Sequence, residues 1–429
     1  MIGAQVEMWG TRIGTVVQED FSSIPRFNYD DRFLKSGIEV SPLMMPLSSR
    51  VYSFPTLNHE SFYGLPGLLA DSLPDKFGTA VLERYFSEQG RDIRQISAVE
   101  RLCYTGLRGM GALEYLPAID LHMNETESIH VEKLVKMASE ILSDREKLHI
   151  PESDHAMQQI IDVGTSAGGA RAKAVIAWNR ETKDIRSGQI NAGDGYEYWL
   201  IKFDGVKNNK DHSIKEDGQE FTRIEYAYYL MATAAGIEMS PCELYQESGL
   251  YHFMTKRFDR IEPKGEKLHM QTLGALAHFD YKNPGAHSYE QVSQIIYQLQ
   301  MTQKEIEQFY RRMVFNVIAR NQDDHVKNIS FLMDKNGRWS LSPAYDITYA
   351  VDPESRWLKQ HQMSINGKTD HISMEDLLAA GKHMNISKNR STKIINEVLA
   401  AVLNWSAFGR QAFVSNAAIE GIERNLMRL

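Results

Sequence analysis

Only two cysteines, Cys103 and Cys242, occur in 429 residues. That is too few for a disulfide framework or a cysteine-built zinc site, and it fits a reducing, cytoplasmic setting. No apolar window approaches the roughly 20 residues of a membrane span. The opening M-I-G-A-Q-V-E-M-W-G has no basic region followed by an apolar stretch, so the chain reads as unprocessed, with no membrane partner. An excess of positive charge is also missing: 48 Lys and Arg stand against 56 Asp and Glu, a formal net charge of −8. Phosphate binding relies on clustered Lys and Arg, so the bulk surface does not wrap nucleic acid unaided, and any DNA contact needs a basic partner. Internal repeats and low-complexity segments are absent too. What remains is 42% hydrophobic and 24% charged, the balance of a globular chain with two or three packed units.

Ala4 to Trp9 and Ile13 to Val17, around Gly10 and Thr11, predict two short strands joined by a turn. G-L-P-G-L-L-A-D-S-L-P-D-K-F-G, Gly64 to Gly78, leads into a helix with Val81, Leu82, Tyr85 and Phe86 on one face, and reads as a packed helix and its cap. Helical spacing recurs from His130 to Leu142, and the polar stretch Ser143 to His155 marks a boundary. Strand-like runs follow at Ala174–Trp178, Tyr196–Phe203, Glu243–Tyr245 and Tyr251–Arg257, with a helix at Ile224–Ala235. Beyond Leu268 the periodicity is almost wholly helical, interrupted by one hairpin, Ile329–Met333 and Trp339–Leu341 around D-K-N-G. The expected class is α+β with a kinase-like two-lobed layout: residues 1–145 an extra N-terminal subdomain, 146–260 a β-rich lobe, 261–429 an all-helical lobe. Layout of this kind speaks to fold and not to function.

The densest chemistry lies in N-Q-D-D-H-V-K-N, Asn321 to Asn328, followed after the hairpin by S-P-A-Y-D, Ser342 to Asp346. Phosphoryl transfer needs a carboxylate to take or orient the proton of an attacking hydroxyl, and oxygen ligands for magnesium. Asp323, five residues before Asn328, has the spacing of a kinase catalytic loop, and Asp346 takes the place of a second metal ligand. A tight hairpin brings Asn328 and Asp346 to the same end. The plainer alternative has Asp323 and Asp324 capping a turn. An EF-hand calcium loop does not line up, and His325 beside two aspartates is weak support for zinc; it suits loop orientation or a phosphate better.

V-G-T-S-A-G-G-A-R-A-K-A, Val163 to Ala174, lets backbone amides approach phosphate, with Arg171 and Lys173 supplying charge. It lacks the Walker ending and the G-x-G-x-x-G of ordinary kinases, so a simple turn stays open. Lys202 interrupts a buried-looking strand and calls for an anion, with ATP phosphate preferred over a snorkelling role. Glu225 is its candidate carboxylate partner or a solvated helix residue. T-K-R-F-D-R, Thr255 to Arg260, ends a strand where its backbone can meet an adenine edge. Asp259 then either reaches a ribose hydroxyl or pairs with an arginine.

These motifs, with T-G-L-R-G-M-G-A-L-E at Thr105 to Glu114, occur in the order that resembles the HipA family of serine/threonine kinase toxins from type II toxin–antitoxin systems, over essentially the whole chain. The resemblance implies Asp323 as catalytic base and Asn328 and Asp346 as Mg2+ ligands. For ATP it implies Lys202, the phosphate loop Gly168, Gly169, Ala170, Arg171, Ala172 and Lys173, the hinge Lys256, Arg257 and Phe258, and Gln271 near the nucleotide. Asp259, His325 and Lys327 complete the expected ATP contacts. Ser166 falls at the loop serine such kinases autophosphorylate. A HipB-like helix-turn-helix antitoxin, DNA contact only through it, and a protein substrate, an aminoacyl-tRNA synthetase in some members, are also implied. Two departures stand out: Asp324 where a Gly can follow the catalytic Asp, leaving open which carboxylate dominates, and Arg171-Ala172 where Gln-Glu can occur. A small-molecule kinase of the aminoglycoside or choline type shares a similar Asn-to-Asp metal arrangement, although the N-terminal motifs favour the toxin family; against a non-catalytic nucleotide-binding module stand the retained Asp323, Asn328, Asp346 and Lys202.

Overall fold

The computed structural model describes residues 1–119, 128–143, 160, 164, 171–189, 191–206, 220–262 and 264–427. The chain opens with a hairpin of β1 (Ile2–Met8) and β2 (Thr11–Gln18), whose register pairs Met8 with Thr11. Trp9 and Gly10 between them both have positive φ, 53° and 72°, as a two-residue turn matching the strand twist requires. With β3 (Arg26–Tyr29) and β4 (Leu113–Leu116) they form an antiparallel sheet of order β3-β2-β1-β4. Along β1, Ala4, Val6 and Met8 are buried while the alternate positions face outward, the period-2 pattern of a sheet with one solvated face.

A five-stranded antiparallel sheet, order β6-β5-β7-β9-β8, comprises β5 (Lys173–Trp178), β6 (Ile185–Ser187), β7 (Glu197–Lys202), β8 (Cys242–Glu247) and β9 (Leu250–Lys256). The helix Phe221–Ala234 lies against β8 and β9. The rest is mainly helical: Tyr289–Gln298, Gln303–Ile318, Met374–His383, Lys388–Val402, Trp405–Gln411 and Asn416–Glu423. The helices beginning at Tyr289 and Gln303 open with reciprocal capping boxes, Ser288 with Gln291 and Thr302 with Glu305, which satisfy orphan amides of the first turn.

The expectation of helices alone around one hairpin after Leu268 is corrected. His269–Thr272 forms a strand, β10, that joins the hairpin strands β11 (Ser330–Met333) and β12 (Trp339–Leu341) in a three-stranded sheet. His269 and Gln271 point inward and are fully buried; they are polar, and so masked the strand from a reading based on hydrophobic period.

Among the described residues, two large hydrophobic cores and one small cluster of Ala177, Tyr196 and Tyr198 form. The larger joins the N-terminal sheet to the helical body, with Val6, Phe27 and Leu69 in the same cluster as Phe309, Val314 and Trp405. The second packs Phe77, Val81, Leu82, Phe86, Val131 and Leu134 beneath Ile176, Trp199, Ile201 and Phe203 of the five-stranded sheet. Residues of the N-terminal 145 are therefore divided between the two cores. The polar stretch taken as a boundary, 144–155, lies outside the described residues. Among the described residues no helix is long and apolar enough to cross a membrane.

Candidate active site

Lys202, the last residue of β7, is buried, and its Nζ donates to Glu225 Oε1 at 2.6 Å and to Asp346 Oδ1. Glu225 is one turn into the helix Phe221–Ala234, and its carboxylate is 6% exposed. Burial by itself would lower the lysine's pKa, but Asp346 and Glu225 together outweigh it and drive it above its ordinary value. Burial, with Asp346 as a like-charged neighbour, pushes Glu225 upward. Burial also opposes the charge on Asp346, yet Lys202 and Lys173 hold its carboxyl below its usual range. The ammonium is thus an obligatory cation between two anions. Of the two alternatives for Glu225, the structure selects the lysine partner.

Asp346 sits in the left-handed region at φ 53°, which Asp tolerates better than most residues. Its predecessor fixes it: Tyr345 Oη lies 2.5 Å from Ser330 Oγ and donates to the Lys327 carbonyl at 2.7 Å. The Tyr345 ring also packs on Phe258 at 5.6 Å between centroids. The segment 323–328 is tied around itself. Asn328 Nδ2 donates to the Asp323 carbonyl at 2.7 Å, Asn328 N to the His325 carbonyl at 2.8 Å, and Lys327 N to His325 Nδ1 at 3.2 Å. The Asp323 carboxylate is 19% exposed and lies 3.9 Å from His325 Nε2. His325, Asn328, Tyr345 and Asp346 line one pocket.

Asp324 has a different place. It is 1% exposed and accepts from Tyr289 Oη at 2.8 Å and Gln362 N at 2.7 Å, with His361 Nδ1 at 2.9 Å. Every donor comes from the helical body, so Asp324 ties the loop to that body, and it lines the same pocket as His325, Asn328 and Asp346.

Three further expectations are corrected. Asp259 is fully buried; its oxygens accept from Arg257 Nε and Nη2, Arg260 Nη1 and Gly111 N at 2.7–2.9 Å. The guanidinium groups of Arg257 and Arg260 overcome burial and hold its pKa down, and no surface is left for a ribose hydroxyl. Arg257 is spent on that cluster and on the Gly188 carbonyl at 3.0 Å. Gln271 is buried on β10, donating to the Val40 carbonyl and lying 2.9 Å from His269 Nε2; it fastens the N-terminal segment rather than facing the cleft. Lys256 turns its ammonium to Glu262 at 2.7 Å and Glu197 at 3.4 Å, and its amide to the Pro241 carbonyl at 2.9 Å.

Of the loop residues, Arg171 lies over the Phe221 ring, 4.0 Å from guanidinium carbon to centroid, and Ala172 accepts from Phe203 N at 3.1 Å. Lys173 is 1% exposed and bonded to Asp75 Oδ2 at 2.8 Å. Ser166, Gly168, Gly169 and Ala170 lie outside the described residues. Lys327 places its ammonium 4.8 Å from the Tyr281 centroid. Asp71 and Asp75 escaped the sequence reading. Their signal was the pair of acids in L-A-D-S-L-P-D, outweighed there by the ordinary fit to a helix cap.

Asn328 and Asp346 leave oxygens that suit a hard metal ion. Asn328 commits its amide nitrogen to the Asp323 carbonyl, which leaves its oxygen for a hard cation, and the Asp346 carboxylate is 28% exposed in the same pocket. An oxygen pair of this kind, short of a full protein cage, suits magnesium, which keeps waters and substrate oxygens as its other ligands. Among the described residues no cluster of three or more His, Cys, Asp or Glu could form such a cage.

A five-stranded antiparallel sheet carrying a lysine–glutamate pair, set against a helical body with the charged loop at their junction, is a kinase-like α+β fold. The chain belongs to the HipA family: residues 165–406 match the HipA-like C-terminal domain and residues 4–116 the HipA N-terminal domain. The fold is similar to a structure described as the Shewanella oneidensis MR-1 toxin–antitoxin system HipA, HipB and its operator DNA complex. The TM-score is 0.69 at 15% identity, covering 98% of this chain and 94% of that one. A putative kinase of Haemophilus influenzae is 28% identical over 169 residues, 35% of this chain and 48% of that protein. The chain thus spans about half the length of that curated relative.

Proposed function

We propose that the protein is an ATP- and magnesium-dependent serine/threonine kinase that phosphorylates a protein substrate. The observation that carries this reading is the Lys202 ammonium between Glu225 and Asp346, with Asp346 lining one pocket together with His325 and Asn328 of the loop that carries Asp323. Lys202 and Lys173 bind the phosphates of ATP. Asn328 and Asp346 would hold Mg2+, which when bound neutralises charge on the β- and γ-phosphates. Asp323 accepts the proton of the incoming hydroxyl and orients it for in-line attack, while Asp324 keeps the loop in place. Phe258 and Tyr345 offer aromatic surface beside the pocket for the base. The loop serine Ser166 is the proposed autophosphorylation site. About −1.5 to −2 charges added there would repel the phosphates that the loop is built to receive.

Mass spectrometry of the protein after incubation with ATP and magnesium tests the reading. The expected product is a phosphopeptide containing Ser166, absent from Asp323→Asn, which should lose at least about 10²-fold in transfer rate while still binding ATP. Phosphorylation undiminished in Asp323→Asn would remove Asp323 from the chemistry. A HipB-type helix-turn-helix antitoxin is the proposed partner, supported by the likeness to the HipA–HipB–operator complex, and through it an acidic chain would reach DNA. Failure of a co-expressed antitoxin of that type to co-purify with the chain would count against it.

A further inference from the structure

Lys173 and Lys202 are directly opposite each other on the antiparallel strands β5 and β7, so both side chains leave the same face of the sheet. Like charges at such a position repel, and here both are buried. The carboxylates that balance them come from three separated parts of the chain. Glu225 and Asp346 serve Lys202, and Asp75 serves Lys173. Asp75 belongs to neither the sheet nor the helical body, but to the segment Gly64 to Gly78.

That segment is docked with close tolerances. Gly67 N donates to His278 Nε2 at 2.9 Å, and a Cβ on Gly67 would lie 2.1 Å from the Ala275 carbonyl oxygen; only glycine fits. Asp71 accepts from Thr272 N at 2.6 Å and Thr272 Oγ1 at 2.9 Å. Asp75 Oδ1 caps the helix Lys76–Glu88 through Gly78 N at 2.6 Å, leaving Oδ2 for Lys173. One carboxylate therefore ends a helix and presents a fixed anion to a site lysine.

We propose that Asp75 is a positioning residue of the nucleotide site: it holds and aims the Lys173 ammonium, so that the N-terminal region sets the affinity for a nucleoside triphosphate. The inference rests on Lys173 being a phosphate-binding group. A buried lysine that loses a bonded carboxylate is no longer held in one place, and that weakens its hold on phosphate. Asn caps a helix about as well as Asp, so Asp75→Asn removes the charge and leaves the cap and the side-chain volume.

Calorimetric binding of ATP with magnesium tests this on the full chain, alongside KM and kcat, for the unaltered protein, Asp75→Asn, Lys173→Met and the double variant. The ATP dissociation constant of Asp75→Asn should rise about tenfold, with the larger kinetic change in KM rather than kcat. In the Lys173→Met background the same substitution should have little further effect, since the two act as a unit. Asp75→Ser, which caps equally well but falls short of Lys173, carries the same expectation and serves if Asp75→Asn does not fold. Unchanged ATP affinity in the folded variants, or a loss of equal size without Lys173, overturns the inference while leaving the ATP site standing. An unaltered protein that binds no ATP would instead defeat the functional reading itself, and this inference with it.

Discussion

Two buried polar regions flank the cleft, and they are built on opposite plans. Under the sheet, full charges from residues 75, 173, 202, 225 and 346 meet with few neutral groups between them. Under the loop 323–328 lies a mostly neutral chain. Asn321 Nδ2 donates to Asn316 Oδ1 at 3.0 Å, Asn316 Nδ2 to Tyr289 Oη at 3.0 Å, and Tyr289 Oη to Asp324 at 2.8 Å. The first region is poised to exchange charge with something from outside, since a buried cation is costly unless an anion accompanies it. The second fixes geometry, because each donor already has its acceptor within the protein. Damage to the first should show in nucleotide affinity, and damage to the second in turnover.

The sharpest break of that comparison is Lys202→Met. It strands Glu225 and Asp346 without their shared cation, and loss of one partner from a buried pair costs on the order of 3–5 kcal/mol. A large fall in the thermal midpoint is expected, with ATP binding lost even where the variant is folded. Retained ATP affinity would show that the charged cluster is structural only.

A smaller effect of the other kind is expected from Asp324→Asn. The amide keeps one acceptor oxygen but turns an NH2 toward groups that donate, at a cost of about 1–3 kcal/mol. Turnover should fall with KM for ATP little changed. A rise in KM instead would erase the distinction between the two regions.

The mildest test is pH. Burial holds His269 at a pKa of about 4 and His252 likewise, against an ordinary 6.5. The unfolded chain therefore takes up protons before the native one. The stabilisation from neutral, buried rings is complete above about pH 6.5 and is lost progressively as pH falls toward 4. Thermal midpoints should decline over that window, and NMR should find the His269 ring neutral at pH 5.5. A ring protonated there would place it outside the packed interior.

Much of the candidate site was readable because its polar groups come in short runs: His325, Asn328, Tyr345 and Asp346, close in sequence within two motifs, line one pocket. Lys202 and Glu225 were readable because a lysine at a buried strand position demands an acid. The strand β10 was not, since its inward residues His269 and Gln271 are polar and satisfied by distant groups such as the Val40 carbonyl. Asp259 was misplaced for a related reason. An Asp between two arginines looks the same in sequence whether it faces a ligand or, as here, closes a cluster with Gly111 from the N-terminal region. Long-range pairings of that sort, Asp75 with Lys173 included, leave no period to detect.

The scatter of the charged cluster along the chain also has a consequence in time. Asp75 and Asp346 are about 270 residues apart, and at synthesis rates of roughly 5–20 residues per second they emerge from a ribosome some 15 to 55 s apart. Asp75, Lys173, Lys202 and Glu225 are made first, and Asp346 arrives more than a hundred residues after Glu225. A nascent chain cannot assemble both halves of the cleft before Asp346 has been made, so any activity of the site is withheld until then.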